Sequence, residues 1–109
     1  MRSLVWWSRS LAVVSLAGVM GSSSALAGSL ALLDPSARDC FATQAERVCE
    51  KALLQAEVLQ RKASNQERYP CQSMLLGLQA EVVMVQLKAG RGDQANDTLA
   101  AVQRRCQGL

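Results

Sequence analysis

Four cysteines, Cys40, Cys49, Cys71 and Cys106, are the residues whose type and spacing could do chemistry in this chain. A set of four thiols can bind a metal, cycle as a redox pair, or form two structural bridges. Zinc sites take their ligands in close pairs, whereas here eight, twenty-one and thirty-four residues separate successive cysteines. The redox motif C-x-x-C is absent as well, so thioredoxin-like exchange lacks its usual framework. Two disulfides are the reading the spacing favours, with a labile, thiol-active Cys40/Cys49 pair as its alternative.

Other chemistry is sparse. The chain contains no histidine, the commonest general base and metal ligand. Beyond residue 27 there is no tryptophan, and Phe41 and Tyr69 are the only aromatics, too few for a base-stacking surface or a cofactor slot. Glu46, Glu50 and Glu57 recur at helical spacing, and Glu57 is placed to pair with Arg61. Such carboxylates form a solvated face. Asn96-Asp97-Thr98 is a formal glycosylation sequon, but it falls within a helical pattern. The expectation is a protein that is not an enzyme and takes no cofactor or metal.

The compartment follows from the first 27 residues. Arg2 and Arg9 precede an apolar run from Leu11 to Met20, Gly21 to Ser24 loosen the chain, and Ala25-Leu26-Ala27 has the small-x-small form of a signal-peptidase site. Residues 1–27 therefore read as a cleavable signal, with the exported protein beginning at Gly28 and working in the periplasm or outside the cell. The competing reading is an uncleaved anchor, because no charge occurs between Ser10 and Leu33; contact with a membrane is expected only in that case. Ser29 stands where a lipoprotein would need cysteine. The net charge of +3 falls to +1 once Arg2 and Arg9 are set aside, which is too near neutral for a nucleic-acid partner.

The elements that must position the cysteines are helices. Residues 28–42 form an N-terminal segment with a short helical turn, opened by Asp34 as cap and Pro35 as first residue. Residues 43–109 form the bundle proper. Thr43-Gln44-Ala45-Glu46 reads as a capping box ahead of a helix with Ala45, Val48, Ala52, Ala56, Leu59 and Ala63 on one face. Ser64 to Glu67 make a polar linker. A second helix runs from Pro70 to about Lys88, where Gly90 and Gly92 stop it. Asp93 caps the last helix, which turns Ala95, Leu99, Val102 and Cys106 inward and places Arg104 and Arg105 at its negative end. No useful stretch alternates with period two. The fold class is all-α: a small three-helix up-down-up bundle, with that extra N-terminal turn, stapled by two disulfides.

Geometry selects the pairing. In an up-down-up bundle Cys71 and Cys106 meet at one end, leaving Cys40 and Cys49 at the other. On one unbroken helix those two would lie about 13 Å apart, beyond disulfide reach. The Cys40–Cys49 bond thus requires the chain to break near Phe41-Ala42. The C-x8-C hairpin ahead of a helix, the later pair clamping two antiparallel helices, and the stretches Arg68-Tyr69-Pro70-Cys71 and Leu87-Lys88-Ala89-Gly90 together resemble the plant invertase and pectin methylesterase inhibitors. That resemblance implies a small secreted protein inhibitor. It is confined to these features, because Cys49 to Cys71 is too short for that family's additional helix. The turn and helix from Gly90 to Val102 are similar to half a tetratricopeptide unit, without a second copy at the required period.

The middle helix carries two apolar stripes. One is Cys71, Leu75, Leu78, Val82 and Val85; the other, more than a right angle away, is Leu76, Ala80, Val83 and Leu87. The expectation is that both are buried, one against each neighbouring helix, with Leu30, Leu32 and Leu33 covering the remainder. The alternative is that the second stripe is a partner face, for a homodimer or another protein. The expected function is accordingly that of an exported, non-enzymatic helical module, structural or protein-binding.

Overall fold

A computed structural model describes residues 29–109, which form four helices with no strand among them. In chain order these are α1 (Leu30–Thr43), α2 (Glu46–Asn65), α3 (Tyr69–Gln86) and α4 (Gly92–Arg105). The expected short N-terminal turn is a helix of 14 residues. It starts earlier than Asp34 because Ser29 supplies the cap: its Oγ accepts the Ala31 N–H at 3.2 Å, and its carbonyl accepts from Leu32. Pro35 lies inside the helix, where it cannot donate. Asp34 is not a cap. Its carboxylate takes Arg38 one turn on at 2.8 Å and the Gln103 amide of α4 at 3.2 Å.

Connections of two to five residues turn each helix back beside the one before it, the arrangement that short loops enforce. α1 packs on α2 and α4, α3 packs on the same two from the other side, and α1 and α3 touch across the centre. The fourth side of the array closes where the Leu30 N–H donates to the Leu109 carbonyl at 3.3 Å. Inside lie Leu33 and Ala37 of α1, Ala52, Ala56, Leu59 and Ala63 of α2, Leu75, Leu78 and Val82 of α3, and Ala95, Leu99 and Val102 of α4. Alanine dominates the inner face of α2, so its neighbours can approach closely. The inward residues foreseen for α4 are all buried, and so is the first stripe of α3.

The bridges are Cys40–Cys49 and Cys71–Cys106, with Cα separations of 4.7 and 5.0 Å. They staple opposite ends of the bundle, α1 to α2 and α3 to α4. The break that the first bond requires falls at Gln44-Ala45, but without a capping box. The Thr43 hydroxyl instead closes α1, donating to the Asp39 carbonyl at 2.7 Å and accepting from the Ala45 N–H at 3.3 Å. Ala45 is then the N-cap of α2, with no side-chain bond, and it is exposed rather than inward.

The stops of α1, α2 and α3 are made by residues in the left-handed region, Gln44, Glu67 and Lys88, at φ 57°, 56° and 57°. Arg68 N–H to Ala63 carbonyl and Ala89 N–H to Met84 carbonyl, both 2.9 Å, complete the six-to-one bonds that end α2 and α3. Of the two glycines expected to stop α3, Gly90 does close its end, its N–H donating to the Met84 carbonyl at 3.0 Å, whereas Gly92 serves otherwise. Gly92 is the first residue of α4, and Arg91, not Asp93, is its N-cap. Asp93 sits in the first turn, paired with Arg91 at 2.8 Å.

Candidate partner-binding face

Every cysteine is in a disulfide, and all four are buried in the core. Among the described residues no group of acidic or thiol side chains converges as a metal site, and no enclosed pocket occurs. Glu46 and Glu50 are exposed, and Glu57 pairs with Arg61. No helix of the described residues is long and apolar enough to cross a membrane. The expected export signal and the expected cleavage point before Gly28 lie outside the described residues. The two disulfides fit an oxidising compartment outside the cytoplasm.

The distinctive surface is the outer side of α3. The second stripe, expected between helices, is open to solvent: Leu76 is 49% exposed, Val83 40% and Leu87 69%, and Ala80 is exposed as well. The reason is the width of the buried side. α2 and α4 both reach α3 through the arc of Cys71, Leu75, Leu78, Val82 and Val85, and α1 packs across the array rather than over the opposite side. Leu33 of the N-terminal segment goes to the core, Leu30 lies partly buried against it, and Leu32 is exposed. The three leave the second stripe of α3 exposed.

Two residues missed by the sequence reading extend this surface, Tyr69 at its beginning and Met84 along its edge, both exposed. Their signal was available. Tyr69, Ser73, Leu76, Ala80, Val83 and Leu87 follow one another at intervals of four, three, four, three and four, the spacing of a helix seam that faces another helix. On the α4 side the face is bounded by Glu81, whose carboxylate accepts from the Gln94 amide at 3.1 Å, and by Gly77, where a Cβ would stand 4.0 Å from Thr98 Cγ2. The other side carries Gln72, Gln79 and Gln86, all partly buried. Glu81 is the one charged residue between Tyr69 and Leu87.

Elsewhere exposed apolar residues are fewer: Leu32 on α1 and the neighbouring pair Leu54 and Val58 on α2. That pair lies among exposed Lys51, Arg61 and Lys62, a pattern that is ordinary for a protein surface. Set against protein families, curated proteins and solved structures, the chain matches none.

Proposed function

We propose that this chain is an exported, non-enzymatic helical module that acts by binding protein through the outer face of α3. Residues 1–27 direct export, and the stapled bundle works in the periplasm or beyond the cell. The observation that carries the reading is the exposure of Leu76, Val83 and Leu87 on a helix apolar on both sides. A helix of that kind is ordinarily covered on both sides, and a lengthwise apolar strip rimmed by polar amides is the form of surface that takes a partner helix. The buried sulfurs support structural staples over a thiol-active pair, because a thiolate must reach a disulfide sulfur to exchange with it.

The test is capture with the oxidised protein immobilised. Proteins retained from an extract of the producing cells are identified by mass spectrometry, alongside self-association of the protein itself. The expected result is one species, a second copy included, that is bound by the wild type and lost with Val83→Asp while helicity is retained. Equal retention by both forms would show that this face binds nothing.

A further inference from the structure

The register and rim of the α3 face identify its occupant. We infer that it is a second copy of this chain, seated antiparallel about a two-fold axis at the level of Leu78, an inference that rests on the protein-binding reading of the same face. Turning the seam end for end about that level brings Leu76 opposite Ala80, Ser73 opposite Val83 and Tyr69 opposite Leu87. The two inner layers each pair a bulky side chain with a small one, the alternation by which facing layers interdigitate. The parallel alternative stacks Ala80 on Ala80 and Ser73 on Ser73, leaving voids whose lining loses its contacts. The surface is therefore more complementary to itself in the antiparallel direction.

Charge selects the same direction. No charged side chain lies within the seam, so two identical faces can meet without repulsion, and Glu81 at the edge is engaged by Gln94. At the ends, Glu67 precedes α3 and Lys88 follows it, both exposed. Antiparallel seating brings Glu67 of each copy towards Lys88 of the other and opposes the helix dipoles. Parallel seating would stack Glu67 on Glu67. Arg68 is turned aside, donating to the Arg105 carbonyl at 3.1 Å. A two-fold interface uses the same patch on both copies, so the assembly stops at two.

Sedimentation velocity on the oxidised protein, as the producing cell processes it, provides the test. The wild type should sediment as a dimer and dissociate on dilution through the micromolar range, as a single helix face smaller than a standard interface implies. Leu76→Lys and Ala80→Glu should each sediment as helical monomers. Their equimolar mixture should return to dimer, because only the antiparallel register sets the introduced ammonium against the introduced carboxylate. A wild type that stays monomeric to roughly 100 µM overturns the second copy as occupant. Dimers persisting in both single variants, or no recovery on mixing, overturn the seam and its direction. In the monomeric case, Val83-dependent capture of another protein leaves the protein-binding reading standing, and its absence removes both; the wild-type dilution series decides whether a second copy is the occupant even where a variant does not fold.

Discussion

Cys71 and Cys106 are bonded across one end of the bundle, and three residues before Cys71 the Arg68 guanidinium donates to the Arg105 carbonyl at 3.1 Å. A covalent bond and a hydrogen bond thus fix the start of α3 to the end of α4. The bridge spans a sequence separation of 35, against 9 for Cys40–Cys49. Loop-closure entropy then gives the long bridge about 3.8 kcal/mol and the short one about 2.7. Replacing Cys71 and Cys106 together by alanine should destabilise more than replacing Cys40 and Cys49, measured by urea unfolding. The opposite order would mean that the α1–α2 corner holds the fold.

Gly90 and Gly92 should respond to alanine with opposite signs. A Cβ on Gly90 would stand 3.0 Å from the Met84 Cβ and 3.1 Å from the Met84 carbonyl carbon and the Val85 nitrogen. Backbone cannot yield as a flexible side chain can, so Gly90→Ala should cost on the order of 1–3 kcal/mol. Gly92 has open space around it and begins α4, where alanine favours helix by up to about 1 kcal/mol. Paired thermal melts check both signs. Equal effects would show that close approach at Gly90 does not constrain the turn.

These glycines also mark what was legible in the sequence. Helical periodicity placed the inner faces of α2, α3 and α4, and disulfide reach along a helix required the break between Cys40 and Cys49. Helix ends were harder to read, because Gln44, Glu67 and Lys88 take the left-handed positions that glycine usually marks. Capping signals misled at Thr43 and Asp93, whose side chains found nearer partners in Asp39 and Arg91. The outer stripe of α3 was visible as a pattern. Its exposure depends on how α2 and α4 divide the surface of α3 between them, which is tertiary information that no local spacing carries.

Gln55 should tolerate methionine with a gain. Its side chain is 9% exposed on the inner part of α2, and its amide oxygen has no hydrogen-bond partner among the described residues. An unpaired buried acceptor costs roughly 1–3 kcal/mol, which an apolar side chain of similar length does not incur. Gln55→Met should therefore raise the midpoint of urea unfolding. A fall would show that the amide is engaged in the folded protein.

Acid should weaken the start of α4 through Asp93. The Arg91 hydrogen bond, then the Gln94 backbone N–H, hold its carboxyl below the ordinary carboxylate range. A carboxyl lowered in the folded state contributes stability that is present above its unfolded pKa and lost as pH falls through the folded one. The thermal midpoint of Asp93→Asn should lie below wild type at neutral pH. The two should converge in acid below the usual carboxylate range. A difference that persists there would assign the effect to packing rather than charge.

Val83 and Leu78 lie five residues apart on α3, one 40% exposed and the other fully buried. Aspartate in the core leaves a charge without a partner, so Leu78→Asp should cost several kcal/mol. At Val83 the introduced carboxylate reaches water, and a substitution there should change the stability of the isolated chain by no more than about 0.5 kcal/mol. Circular dichroism at a protein concentration too low for association separates the intrinsic effect from any linked to a partner. Unfolding by Val83→Asp under those conditions would return the second stripe to the core, as the periodicity alone suggested, and remove the surface on which partner binding rests.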